Sequence, residues 1–209
     1  MSGGRVLALD LDGTLLDCGP RQVQALDAAL GGQYRDPVAF WDHKRRGLTT
    51  REALIALGMH EADAHELAER WRVVVEADEL LLADTVLPGA ESALEAARAH
   101  AERLVVITAR RRGDAAAAQC ERLGLMAHLD EVIAVPPAEA ADRKAVVLRD
   151  LRAIGFVGDT ASDARAAAAA EVPFAAVTTG QHTREVLAAA VSAPIVDDLQ
   201  TAIRVLTQS

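Results

Sequence analysis

The 209-residue chain is long enough for one core domain with a small accessory domain, and too short for two large domains. Its formal net charge of −9 disfavours nucleic acid as a partner, because a phosphate backbone is bound by clustered Lys and Arg. No apolar run approaches the roughly 20 residues that span a membrane, so we expect a cytoplasmic protein without a membrane partner, as a monomer or a homodimer.

The first predicted element is a short apolar strand over residues 6–9, which ends at Asp10. A turn is expected at Asp12-Gly13-Thr14. From Arg21 to about Asp84 the pattern changes to helices, with a capping box at residues 49–52, and no convincing strand appears there. The start of the chain therefore predicts one buried strand followed by a helical segment.

After residue 88 helices and strands alternate. Helices are predicted over residues 90–99, over 114–123, after Asp142 and over 164–170, and each precedes a strand, over 104–107, 132–135, 155–157 and 174–177. Such alternation predicts fold class α/β, a three-layer Rossmann-like parallel sheet with helices on both faces. The helical segment, residues 17–84, is predicted to be a small domain inserted after the first strand of a core formed by residues 1–16 and 85–209.

Two carboxylates, Asp10 and Asp12, lie two residues apart just past the first strand. Because strand geometry aims alternate side chains the same way, both acids can face one small site. An isolated Asp-x-Asp is usually a solvated strand end before a turn. The full string, with Gly13 and Thr14 after a buried apolar strand, is far more specific and favours a functional site.

Further polar residues fall at the ends of later strands. Thr108 follows the strand at 104–107, Lys144 opens a helix after a Pro-Pro loop, and Asp159 and Asp163 follow the strand at 155–157. In a doubly wound sheet these positions converge on one crevice. Taken singly, they have structural alternatives: a helix cap, a surface charge, and a capping and turn pair. Their occurrence together and in this order favours one site.

On these residues the chain resembles the haloacid dehalogenase-like hydrolases, and the resemblance covers nearly its whole length. The matching motifs are, in order, residues 10–14, Thr108, Lys144, and Asp159 with Asp163. The helical segment resembles the small helical cap that many members carry between the first two motifs, as in phosphoglycolate phosphatase and β-phosphoglucomutase. We call residues 17–84 the cap from here on.

The resemblance implies a phosphatase of a small phosphorylated metabolite that depends on Mg²⁺. Asp10 would attack phosphorus and form an aspartyl-phosphate, and Asp12 would give a proton to the leaving alcohol and later take one from water. Mg²⁺ would be held by Asp10, the carbonyl oxygen of Asp12 and Asp159, with Asp163 as a ligand or orienting group. Haloacid dehalogenases and phosphonatases lack an acid at the place of Asp12, which therefore favours phosphate ester or anhydride chemistry.

The same resemblance implies that Thr108 and Lys144 hold phosphoryl oxygens, and that Thr14 of the first motif contributes to substrate binding. The chain departs from the common pattern at the third motif. Lys144 is followed by Ala145 where Pro is frequent, and it lies closer to the fourth motif than usual. Its neighbour Arg143 is therefore a rival for the same role.

Specificity is expected to come from basic residues near the crevice. Lys44 and Arg45 lie in a basic cluster of the cap beside Trp41, and either could reach a second anionic group of the substrate. A solvated helix end carrying basic residues is an equal alternative. Arg21 at the cap entrance and Arg110 after Thr108 are further candidates for substrate binding, with surface arginine as the alternative.

Two other functions remain open at this point. A phosphomutase would use the same aspartyl-phosphate and return the phosphoryl group to a sugar. A binding or regulatory protein could use the same fold without turnover, although the four intact motifs argue against it.

Overall fold

The computed structural model describes residues 4–31 and 36–208. Eight strands lie in this part of the chain: β1 Val6–Leu9, β2 Leu16–Asp17, β3 Thr85–Val86, β4 Arg103–Thr108, β5 Glu131–Ala134, β6 Ala153–Gly158, β7 Phe174–Val177 and β8 Ile195–Val196. Six of them form one sheet in the order β5-β4-β1-β6-β7-β8, in which every neighbouring pair is parallel. β2 and β3 form a separate antiparallel pair.

Eleven α-helices accompany these strands in the described residues: α1 Gly19–Leu30, α2 Pro37–Arg45, α3 Thr50–Ala56, α4 Glu61–Val74, α5 Asp78–Leu81, α6 Ala90–Ala97, α7 Gly113–Arg122, α8 Ala140–Leu151, α9 Ala161–Ala170, α10 Arg184–Ala190 and α11 Leu199–Thr207. The first five lie between β2 and β3, α6 lies between β3 and β4, and each of the other five follows a strand of the parallel sheet. None of these helices is long and apolar enough to cross a bilayer.

Alternation along the central strand explains the three layers. Leu7 and Leu9 pack into the cluster that includes residues of α6, α7 and α11. Val6 and Ala8 point to the opposite face and pack with residues of α8, α9 and α10. Since both faces of β1 are apolar and covered, the strand is fully buried. The predicted α/β fold with a three-layer parallel sheet is confirmed.

The helices of the cap have an apolar cluster of their own, which includes Leu26, Phe40 and Leu54. The predicted capping box begins α3: the Thr49 side chain accepts a hydrogen bond from the Glu52 backbone N–H, and the Glu52 side chain accepts one from the Thr49 backbone N–H. No strand occurs between β2 and β3 in the described residues, as the sequence pattern predicted.

Several elements were not predicted from the sequence. The edge strand β8 and the helices α10 and α11 follow the last predicted strand, and β2 pairs with β3 where the chain enters and leaves the cap. The helix expected after Asp142 begins at Ala140, so Lys144 lies in its second turn. These differences add one edge strand to the parallel sheet and two helices after it.

Candidate active site

The carboxyl ends of three neighbouring strands bring Asp10, Thr108 and Asp159 to one place. Thr108 is the last residue of β4, and Asp10 and Asp159 directly follow β1 and β6. The backbone N–H of Asp10 donates to the Val157 carbonyl oxygen at 2.8 Å, which continues the pairing of β1 with β6 by one residue. All three residues are buried and line a single cavity.

Lys144 reaches this place from α8. Its ammonium lies 2.8 Å from Asp10 Oδ1 and 2.7 Å from Asp163 Oδ1, and the residue is only 2% exposed. Arg143 instead donates to Glu139 on the surface, and 56% of its side chain is exposed. Because successive helical residues are rotated by about 100°, only one of the two rivals can face Asp10, and it is Lys144.

Asp163 and Asp159 are fixed by the backbone around them. Asp163 accepts hydrogen bonds from the Thr160 backbone N–H at 3.1 Å and the Thr160 hydroxyl at 2.5 Å, which completes the capping box of α9. Asp159 Oδ2 accepts one from the Gln181 backbone N–H at 2.6 Å. Asp159 Oδ1 is buried and has no hydrogen-bond partner among the described residues. A bound cation would give this buried oxygen a partner.

The three acids could hold a cation. One carboxylate oxygen from each of Asp10, Asp159 and Asp163 lies within 4.8 Å of the others, and all three residues are buried. In the part of the chain that the structure describes, only one ammonium, that of Lys144, lies among them. The oxygen ligands, the excess of negative charge and the unpartnered Asp159 oxygen fit a hard divalent cation such as Mg²⁺.

Burial has a direct effect on the protonation of Asp10 and Asp159. It raises the pKa of Asp10 to about 7, against the lowering effect of the Lys144 charge. Burial also raises the pKa of Asp159 well above its usual range, and the charges of Asp10 and Asp163 act in the same direction. Asp10 and Asp159 therefore resist ionising together unless positive charge is added between them.

The carboxylate of Asp12 is ion-paired with two arginines. Arg21 Nη2 donates to Asp12 Oδ1 at 2.6 Å, and Arg110 donates through Nη2 to Oδ1 at 2.6 Å and through Nε to Oδ2 at 2.8 Å. Although burial opposes ionisation, the charges of Arg110 and Arg21 hold the pKa of Asp12 well below its usual range. Asp12 is therefore a carboxylate at neutral pH in this arrangement.

The two arginines are parts of a buried network that joins the cap to the core. Arg21, on α1, donates from Nε to both oxygens of Asp84, at 3.0 and 2.8 Å. Arg110, after β4, donates to Gln119 at 2.6 Å, and Gln119 donates in turn to Asp84 at 2.9 Å. Both arginines line the cavity, but their charges are already matched by carboxylates of the protein.

We predict that Arg21→Met lowers the free energy of unfolding by about 3 kcal/mol, because it leaves the buried Asp84 carboxylate without its main cation. Arg70→Met removes an exposed pair with Glu66 and should change stability little. Denaturant titration of both variants measures the difference. Equal losses for the two arginines would show that the buried network does not stabilise the fold.

The remaining predicted binding residues differ in position. Lys44 is buried and lines the cavity, whereas Arg45, the next residue of α2, does not line it. The Arg45 carbonyl oxygen instead accepts the Thr183 backbone N–H at 2.9 Å, a contact between cap and core. Thr14 is also buried but does not line the cavity. Its backbone N–H donates to the Leu11 carbonyl oxygen at 3.3 Å, so the turn directs it inward.

Sequence reasoning missed the loop that follows β7. Gly13, with φ of +81°, and Gly180 lie against Asp159: a Cβ at Gly180 would come within 2.0 Å of Asp159 Oδ2, and one at Gly13 within 2.3 Å. Gln181 supplies the backbone donor to the same oxygen. The loop leaves a parallel strand at its carboxyl end, which is the signal that could have identified it.

The cavity has a volume of about 630 Å³, within the range of small-molecule sites. Residues of the cap and of the sheet edge line it together. Among the residues that the structure describes, eight Lys or Arg and five Asp or Glu contribute to the lining, so this lining carries excess positive charge within an acidic protein. This arrangement favours a small anionic ligand.

Comparison with known families agrees with this geometry. A family model described as haloacid dehalogenase-like hydrolase matches residues 5–171. This range contains every strand that contributes Asp10, Thr108 or Asp159 to the site, together with the cap. Among curated proteins, no relative of similar sequence is found.

Solved structures show the same fold at low sequence identity. A predicted phosphatase from Clostridium acetobutylicum aligns over 100% of both chains with a TM-score of 0.76 and 17% identity. A haloacid dehalogenase-like family hydrolase from Streptococcus pneumoniae aligns over 98% of this chain and 99% of its own, with a TM-score of 0.74 and 18% identity. A predicted phosphoglycolate phosphatase from Haemophilus somnus covers the same shares, with a TM-score of 0.69 and 16% identity.

Proposed function

Because the chain belongs to the haloacid dehalogenase-like hydrolase family, we propose that it is a Mg²⁺-dependent phosphatase that hydrolyses a small phosphorylated metabolite through an aspartyl-phosphate on Asp10. One observation carries the proposal. The Asp10 carboxylate lies 2.8 Å from the Lys144 ammonium, in a cavity whose rim holds two further buried acids, Asp159 and Asp163. Phosphoryl transfer needs this combination of a nucleophile, a fixed cation and ligands for a metal.

Mg²⁺ would be held by Asp10, Asp159 and the carbonyl oxygen of Asp12, with Asp163 as a further ligand or as the group that orients Lys144. The unpartnered Asp159 oxygen and the three oxygens within 4.8 Å of one another support this set. When bound, Mg²⁺ neutralises part of the charge on the phosphoryl oxygens.

Asp10 forms the new bond to phosphorus in the first step, while the bond from phosphorus to the ester oxygen breaks and the alcohol leaves. In the second step water attacks the same phosphorus, the bond to Asp10 breaks, and inorganic phosphate and the free carboxylate result. Lys144 provides a fixed positive charge next to Asp10 throughout, and Thr108 offers a hydroxyl at the neighbouring strand end.

Asp12 is suited to the second step because its carboxylate can accept the proton of the attacking water. To protonate the leaving alcohol in the first step it must first gain a proton. Arg21 and Arg110 oppose this by holding its pKa low. We therefore expect that Asp12 separates from at least one guanidinium when substrate enters, and the two arginines, which also line the cavity, are then free to contact the substrate.

Release of inorganic phosphate from a panel of small phosphate esters, with Mg²⁺ and with a chelator, tests the proposal. We expect release that needs Mg²⁺. Asp159→Asn should raise the Mg²⁺ concentration for half-maximal rate by at least about tenfold, since altering even an indirect metal partner has that effect. Asp150→Asn, at an exposed position of α8, is the control and should leave that concentration unchanged.

No release from any ester, with or without Mg²⁺, would contradict the proposed function and favour a binding protein. A hexose 1-phosphate supplied with a bisphosphate activator distinguishes the phosphomutase. Formation of an isomerised sugar phosphate, without release of inorganic phosphate, would favour that function.

A further inference from the structure

Lys44 is a buried cation at the end of α2. It is 6% exposed, and its ammonium donates to the Thr50 hydroxyl at 3.2 Å and lies 5.1 Å from the centre of the Trp71 ring. Burial lowers the pKa of Lys44 to about 8, with small opposing effects from Cys18 and Glu52. The side chain is therefore still mostly charged at neutral pH, in surroundings that do not favour the charge.

Lys44 differs from the other buried cations in the described residues. Arg21, Arg110 and Lys144 each have a carboxylate oxygen within 2.8 Å. Lys44 has no carboxylate oxygen within 4.0 Å among the described residues. Glu52, on the adjoining helix α3, is exposed and is engaged in the capping box with Thr49.

An unpaired buried charge is costly, and its partner is then expected to come from a ligand. Lys44 lines the same cavity as Asp10 and faces it from the cap. Two other cations without a carboxylate partner in the described residues, Arg46 and Arg165, also line the cavity, but both are exposed to water. Of these three cations, Lys44 is the one whose side chain is buried.

We propose that the substrate carries a second anionic group, a carboxylate or a second phosphate, which binds the Lys44 ammonium from within the cavity while the first phosphate meets Asp10. The inference rests on the proposed phosphatase function and narrows its substrate class to small phosphate esters with two anionic ends. The flat face of Trp71 and the Thr50 hydroxyl hold the ammonium in position for that group.

The test compares three probes with three-carbon skeletons: glycerol 1-phosphate, with an uncharged end; 3-phosphoglycerate, with a carboxylate; and propane-1,3-diol bisphosphate, with a second phosphate. Wild-type enzyme should favour one of the charged-end probes over glycerol 1-phosphate by roughly thirtyfold or more in kcat/KM, as expected for a charge pair removed from water. Whichever charged probe is favoured identifies the second group.

Lys44→Met should abolish this preference through a higher KM for the charged-end probe, with kcat for glycerol 1-phosphate little changed. Lys44→Arg should keep part of the preference, because it keeps the charge. Arg51→Met, which removes an exposed charge on the adjoining helix α3 that does not line the cavity, is the matched control and should leave kcat/KM for all three probes close to the wild-type values. The thermal midpoint of Lys44→Met without substrate should not fall, since the substitution leaves no buried carboxylate unpaired. If Lys44→Met does not fold, Lys44→Gln takes its place in the comparison.

Three results would overturn the inference and leave the phosphatase function in place. These are equal kcat/KM for the three probes, hydrolysis only of esters without a second anionic group, and a change in Lys44→Met that lowers kcat/KM for all three probes by the same factor. Failure of the wild-type protein to release phosphate from any ester would remove the proposed function and the inference together.

Discussion

Asp10→Asn is expected to lower kcat for phosphate release by about 10⁴-fold or more, because the carboxamide oxygen cannot replace the carboxylate as a nucleophile. The fold should remain intact, since Asn has nearly the same shape and Asp10 is held by its backbone bond to Val157. Lys144 keeps the second of its two carboxylate partners, Asp163, in the variant.

Steady-state rates over the ester panel, with circular dichroism and thermal unfolding to establish folding, measure this effect. Asp150→Asn is the control for the same change of charge at an exposed position. A rate for Asp10→Asn within tenfold of the wild-type rate would remove Asp10 from the role of nucleophile.

Lys144→Met has the second-largest expected effect, and it should act on both turnover and stability. We expect kcat to fall by about 10²- to 10³-fold, the usual loss when one fixed group that stabilises developing charge is removed. The free energy of unfolding should fall by about 3 kcal/mol or more, because Asp10 and Asp163 would lose the ammonium that lies between them.

Arg143→Met is the matched control, since it removes a cation one residue away that is exposed and paired with Glu139 on the surface. It should leave kcat and the unfolding free energy close to the wild-type values. Similar losses in the two variants, measured by phosphate release and by denaturant titration, would mean that the third motif is not filled by Lys144 alone.

The positions of the acids could be predicted because a parallel sheet brings its carboxyl ends to one edge. Asp10 and Asp159 each follow a short apolar run, and this local pattern was sufficient to locate β1 and β6. Neither segment alone indicates that the two acids lie close together; that expectation came from the predicted parallel sheet, in which the carboxyl ends of the strands share one edge. The same reasoning located Thr108 at the end of β4.

The partners of Asp12 could not be predicted in this way. Arg21 and Asp84 are 63 residues apart, and Arg110 and Asp12 are 98 residues apart. Nothing local to any of these residues distinguishes a buried ion pair from a surface charge, and both arginines were open to that alternative. The contact depends on how the cap lies over the sheet edge, which is a property of the whole fold.

Helix phase and loop contacts were the other missing information. The sequence identified the basic cluster of the cap, but it could not say that Lys44 would face the cavity and Arg45 would not, because that depends on the rotation of α2 against its neighbours. The contact of Gly180 and Gln181 with Asp159 likewise depends on the path of the loop after β7. Edge strand β8 has only two residues, too few for a periodic pattern.

The most direct test of the account is to look for the phosphoryl group on Asp10. Wild-type protein is mixed with Mg²⁺ and an ester that it hydrolyses, quenched in acid before the steady state, and fragmented. The peptide that contains Asp10 should then carry one phosphoryl group, and the same peptide of Asp10→Asn should carry none. The aspartyl-phosphate on Asp10 would be contradicted if phosphate is released in the same time course while the phosphoryl group lies on another residue. Phosphate release with an unmodified Asp10 peptide throughout would contradict it as well.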